Sequence, residues 1–289
     1  MGGPTWPPHP PAFGAPRQKP RRSSVSLSAK IRFVRAAARP LVALLMLGAG
    51  ACQTVPLTNR SQLLLIPEGT ELQLGLSSYQ DILKKARVSH DPALNEQITR
   101  VGTRIAEATG RTDYRWEFRV LEDKQANAFC LPGGKVAVYT GILPITRDDA
   151  GLAAVLGHEV SHAIARHGGE RISQQLAVQG GLLATQAALA GHDARTTQWV
   201  AAGLGAGATV GVLLPWSRLQ ESEADHLGLI YMARAGYHPQ AARDLWVRMA
   251  SQGGPRQPEF LSTPHPAPQT RIAQIEAWIP EALQHYRPR

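Results

Sequence analysis

Residues 150–166 read as one helix that is apolar nearly all round, yet His158, Glu159 and His162 stand in the middle of it. Leu152, Ala153, Val155 and Leu156 precede the two histidines and Val160, Ala163 and Ile164 follow, which leaves no broad face for water. Such a helix must be enclosed by the rest of the chain, and its buried imidazoles must find partners there. Asp148-Asp149 supplies the opening signal. Four residues are about one helical turn, so both imidazoles leave the same side, close enough for one nitrogen of each to reach a single metal ion. Glu159 lies beside that side and can reach a water at the metal without being a ligand.

Two histidines do not complete a catalytic metal site, which takes three protein ligands and an open position. A metzincin would need Gly three residues and His six residues after His162. Those positions hold Ala165 and Gly168, and His167 is one residue out of register, so that class is excluded. The segment Arg218–Gly228 offers carboxylates instead. Glu221 and Asp225 are one turn apart and share a face, so one can bind metal while the other holds a ligand imidazole by its second nitrogen. Glu223 is about 200° round the helix from Glu221 and is expected to point elsewhere. His167, His192, His226, His238 and His285 fit no ligand pattern and are expected to be structural or exposed.

The remaining pattern gives the surroundings. Leu72, Leu74, Tyr79, Ile82 and Leu83 share one face of a helix starting near Gly69. Ile98, Val101, Ile105 and Ala106 mark a second helix from about Leu94 to Thr109, stopped by Gly110. Arg115–Val120 alternates as a half-buried strand, and Ala128–Leu131, Pro132-Gly133-Gly134 and Lys135–Tyr139 read as a hairpin about a glycine turn. Helices, a small sheet and then long helices make an α+β order. The Ala- and Gly-rich stretch 176–216 is expected to form a buried helical pair, because small side chains let helices pack closely.

Charge and cysteine usage exclude other classes. Eight of the 31 Lys and Arg, and none of the 22 Asp and Glu, fall in residues 1–51, which leaves the remainder close to neutral. A nucleic-acid binder carries its basic excess on the folded body, so no nucleic-acid partner is expected. Two cysteines build no disulfide framework, and Cys130 is expected to be a small buried residue. Residues 1–51 read as a removed signal-peptide region with a long basic n-region, ending in an apolar run too short to span a membrane. Ala49-Gly50-Ala51-Cys52 resembles a bacterial lipobox, although Ala49 stands where Leu is usual. By that likeness Cys52 would be acylated, and Gln53 after it would direct the chain to the outer membrane. Residues 52–68 are then a lipid-anchor linker, residues 69–289 the catalytic domain, and the location periplasmic, lipid-anchored to the outer membrane.

His158-Glu-x-x-His162, with Glu221-x-x-Ala224-Asp225 about 60 residues later, resembles metallopeptidase family forty-eight, which includes the CAAX prenyl proteases, HtpX and periplasmic lipoprotein proteases. The likeness extends to Asn127–Gly134 and to His265-Pro266 with Arg271, although Cys130 stands where Ala or Ser is common. It implies a mostly helical, zincin-like α+β domain with a small β-sheet beside the histidine helix. It also implies His158, His162 and Glu221 as ligands of one Zn2+ per chain, with Glu159 as general base. His265, by its residues alone a loop histidine packed beside proline, becomes a fourth ligand or an oxyanion donor, and Arg271 an anchor of its loop to a carboxylate. Lys135, Val136, Ala137, Val138 and Tyr139 would form an edge strand that pairs with an extended substrate. The function implied is a zinc-dependent endopeptidase of the bacterial envelope acting on misfolded or unassembled proteins, held to the membrane by its lipid. The alternative is a zinc-containing envelope chaperone with little proteolysis, which Glu159→Gln would leave working.

Overall fold

The computed structural model describes residues 52–189, 193–208, 214–251 and 268–288. A hairpin of β1 (Cys52–Thr54) and β2 (Ser61–Leu63) comes first, then α1 (Glu68–Lys85) and α2 (Pro92–Thr109). The strands β3 (Glu117–Leu121), β4 (Ala128–Leu131) and β5 (Lys135–Tyr139) lead into the short α3 (Leu143–Thr146) and the histidine helix α4 (Asp149–Ile164). The helices α5 (His167–Ala188), α6 (Ala194–Ala208), α7 (Leu214–Arg234), α8 (Gln240–Ser251) and α9 (Pro268–His285) complete it. Helices and a small sheet make the expected α+β, mostly helical domain. No helix among the described residues is long and apolar enough to cross a membrane.

Local chemistry sets the helix ends. Asp91 caps α2 by accepting from the Ala93 and Leu94 amides, Pro92 fills the first turn where no donor is needed, and Gly110 closes it at φ 73°. Asp148 caps α4 by accepting from the Gly151 amide at 2.8 Å. Along α4 the apolar residues from Leu152 to Ile164 are all buried, with Leu152 and Leu156 fully so. Its neighbours are α7, α2, α8 and β4. The crossing with α7 depends on two glycines. A Cβ on Gly157 would meet the Gly228 carbonyl oxygen at 2.8 Å, and one on Gly228 would meet the Gly157 carbonyl carbon at 2.9 Å. Backbone touches backbone there, one residue before His158 and one turn beyond Ala224 and Asp225.

Three expectations are corrected by this architecture. The strand β5 is central, parallel to β3 on one side and antiparallel to β4 on the other, so Lys135–Tyr139 has its backbone groups taken and is not an edge that a substrate can join. Residues 52–68 are not a free linker: Val55 and Leu64 are buried, and Arg60 reaches Glu170 and Glu223. The helices expected as a buried pair are exposed along much of their length. Leu183 is 66% accessible, and Leu176, Val200 and Leu204 are exposed with it. Cys52 itself opens β1, opposite Leu63.

Candidate metal centre

Four residues apart on α4, His158 and His162 turn their Nε2 atoms towards each other at 3.1 Å. From α7, Glu221 places one carboxylate oxygen 3.4 Å from His158 Nε2 and the other 3.4 Å from His162 Nε2. One ligand atom from each residue falls within a 4.8 Å cluster, the one group of three or more such side chains among the described residues. Asp225, one turn on, accepts from His158 Nδ1 at 2.9 Å, which keeps a proton on that nitrogen and turns Nε2 inward. Arg271 of α9 in turn donates to both Asp225 oxygens, from Nε at 2.5 Å and Nη2 at 2.6 Å, while its guanidinium lies 3.6 Å from the centre of the Trp246 ring. The structure thus brings His158, His162, Glu159, Glu221, Asp225 and Arg271 into one buried group, with Arg271 1% accessible. His265 and His192 lie outside the described residues.

The electrostatics follow from burial among charges. Burial pushes the Glu159 carboxyl up to about 7, with Glu221 adding to the rise and His158 opposing it. Burial also drives His162 well below its ordinary value, which makes it a neutral imidazole with a free lone pair. Burial and Arg271 work to lower His158, but hydrogen bonds with Asp225 and Glu221 outweigh them and push it up to about 9. Burial works to raise Asp225 as well, and Arg271 with His158 outweighs it, so this carboxylate stays ionised below the usual range. Burial raises the Cys130 thiol, which suits a packed side chain and not a nucleophile.

Two imidazole lone pairs 3.1 Å apart repel unless a proton or a cation lies between them. Glu159 Oε1, buried beside them, has no hydrogen-bond partner among the described residues. Two nitrogens and a carboxylate, closing on one point with an orphaned acceptor alongside, fit a catalytic zinc with its fourth position open. Residues 92–279 match the description "Peptidase family M48". The chain belongs to that family. The family is one of zinc metallopeptidases, and His158, His162 and Glu221 are the residues here that would hold the zinc.

Similarity to individual proteins sharpens this. The mitochondrial metalloendopeptidase OMA1 of Schizosaccharomyces pombe is 35% identical over 232 residues, covering 79% of this chain and 66% of that protein. The protein of the same name from Saccharomyces cerevisiae is 34% identical, covering 80% and 70%. The beta-barrel assembly-enhancing protease of Escherichia coli is 28% identical, covering 78% of this chain and 47% of that protein. The chain therefore spans about two thirds of the yeast relatives and less than half of the bacterial one. The expectation of a periplasmic protein at a bacterial outer membrane is overturned, because the relatives at 34–35% identity are named mitochondrial. The physical reason is plain: a basic leader without acidic residues is common to secretory and mitochondrial targeting segments, so its charge does not tell one address from the other.

Other histidines have duties away from the zinc site. His226 stacks on Trp278 and pairs with Glu281 at 2.8 Å, and His238 meets the Tyr286 ring edge-on. His167, expected to be structural or exposed, is fully buried with its ring 4.9 Å from that of His162. No motif marks His167, and the close Gly157–Gly228 contact had no signal beyond two glycines on helices.

Proposed function

We propose that this chain is a zinc-dependent endopeptidase that takes an extended, unfolded stretch of polypeptide and cuts it in the service of protein quality control. One observation carries this above the others: two Nε2 atoms and the Glu221 carboxylate converge beside Glu159, whose Oε1 is buried and unbonded. Bound zinc supplies a Lewis acid that polarises a carbonyl and acidifies water. Glu159, held near neutrality by burial, takes a proton from the attacking water and passes it to the leaving amine. Asp225 and Arg271 keep the His158 ring in the tautomer the site needs.

The sheet supports recognition through backbone. The outer side of β3 is occupied, since the Ser89 amide donates to the Val120 carbonyl and the Glu122 amide to the Arg87 carbonyl. The strand β4 has β5 on one side and packs beside α4, which makes Ala128–Leu131 the edge that an extended substrate would join. Pairing of that kind reads main chain, so it favours unfolded segments with little sequence preference. The mitochondrial names of the yeast relatives support a mitochondrial setting, and the name of the bacterial relative supports work on proteins that fail to assemble.

The test uses one protein in two states. The full chain loaded with zinc should cleave a reduced, carboxymethylated substrate at least tenfold faster than its native, disulfide-bonded form, and 1,10-phenanthroline should abolish both rates. Equal rates on the two forms would overturn the preference for unfolded chains.

A further inference from the structure

The carboxyl end of the histidine helix does something a plain helix cannot. In an uninterrupted helix His167 would lie about 140° round from His162, five residues on, and could not touch it. Here α4 stops at Ile164, Arg166 adopts the left-handed conformation at φ 56°, and α5 restarts at His167. A non-glycine residue in that region persists only where its surroundings hold it. The Arg166 guanidinium is buried, donating to the Glu71 carboxylate, to Gln53 Oε1 at 2.7 Å and to the Ile66 carbonyl at 3.4 Å.

The break brings His167 Nδ1 to 2.8 Å from His162 Nδ1, and sets its Nε2 3.0 Å from Glu223 Oε2. Only one arrangement of hydrogens satisfies both contacts with neutral rings. His162 Nδ1–H donates to His167, His167 Nε2–H donates to Glu223, and His162 Nε2 is left as a lone pair aimed at His158 and Glu221. Glu223 is held in turn from the amino-terminal hairpin. Thr58 Oγ1 donates to one of its oxygens and Arg60 Nε to the other at 2.9 Å, while Arg60 also grips Glu170 through two contacts of 2.8 Å. Gln220 closes the group by donating to Glu170 at 2.7 Å.

We propose that His167 is a positioning residue that fixes the orientation and tautomer of His162, and that the loop between β1 and β2, through Thr58, Arg60 and Glu223, is the anchor that holds it. The inference rests on His162 being a zinc ligand. It makes segment 52–63 a working part of the metal site: His158 is steadied from the carboxyl-terminal helix by Arg271, and His162 from the amino-terminal hairpin by Arg60. Each ligand imidazole therefore has its second nitrogen held by a chain of groups that ends on an arginine from a distant part of the sequence.

The test measures zinc affinity by competition with a chromophoric chelator, on the full chain and its variants, alongside kcat and KM on an unfolded substrate. His167→Phe removes the acceptor and should weaken zinc binding about 10- to 100-fold, with kcat falling and KM little changed. His167→Gln, whose amide oxygen can accept from His162 Nδ1, should recover most of the affinity. Arg60→Met should weaken zinc binding in the same direction by a smaller factor, although it touches neither ligand. Wild-type zinc affinity in both His167→Phe and Arg60→Met would overturn the proposal. If His167→Phe does not fold, wild-type affinity in Arg60→Met together with no difference between His167→Gln and His167→Asn would do the same. His162→Ala separates the two levels: unchanged zinc affinity in that variant would remove the ligand assignment itself, whereas its loss with His167→Phe unaffected would remove only the anchor.

Discussion

The crossing of α4 with α7 and the exposed length of α5 and α6 are built from similar residues and behave in opposite ways. Both are rich in Ala, Gly and Leu. In the crossing, Gly157 and Gly228 bring two backbones into contact, the leucines on either side are buried, and His158 of one helix meets Asp225 of the other. Along α5 the first two turns are anchored, with His167, Glu170 and Ser173 buried and the Leu65 amide donating to Ser173 Oγ at 2.8 Å. Beyond Ser173 the helix runs on with Leu176 and Leu183 exposed, and Cβ atoms on Gly180 or Gly181 would meet nothing within 4 Å. Small apolar residues permit close packing; they do not compel it. What compels it in the crossing is a neighbour whose own glycine faces inward at the same level.

Substitutions matched across the two regions should therefore diverge. Leu152→Ala empties a fully buried position and should lower stability by about 2–5 kcal/mol in denaturant titration, whereas Leu183→Ala should stay within about 0.5 kcal/mol of wild type. Equal losses would mean that α5 is packed in solution as tightly as α4. A smaller but opposite pair is expected at the glycines. Gly157→Ala forces a Cβ against the Gly228 carbonyl and should cost about 1–3 kcal/mol, while Gly181→Ala gains helix propensity and should stabilise by about 0.5–1 kcal/mol. A stabilising Gly157→Ala would show that the two helices can part without loss.

What could be read from the sequence divides along the same lines. The histidine helix, its cap at Asp148 and the pairing of His158 with His162 are local, because spacing along one helix decides them. The α+β order was legible for the same reason, each element announcing its own period and stops. Glu221 and Asp225 were legible as a pair but not in their separate roles, since they share a face and only the position of Arg271 gives Asp225 the outer one. The misplacement of the substrate edge at Lys135–Tyr139 came from a parallel pairing with β3, a contact between segments whose order along the chain says nothing of which strand is central. His167 escaped because a left-handed residue at Arg166 is invisible in a helical pattern, and only that break brings a ring without any ligand spacing to His162. The exposure of α5 and α6 was misjudged because composition records what a helix could pack against, not whether anything is there.

We propose that His158, His162 and Glu221 hold one zinc and that Glu159 is the base beside it. Cleavage of casein by the wild-type chain and by Glu159→Gln, with zinc content determined on both, tests it most directly. Each sample should hold about one zinc per chain, and Glu159→Gln should lose at least about 100-fold in kcat. Undiminished cleavage by Glu159→Gln, or wild-type protein that cleaves casein without zinc, would contradict it.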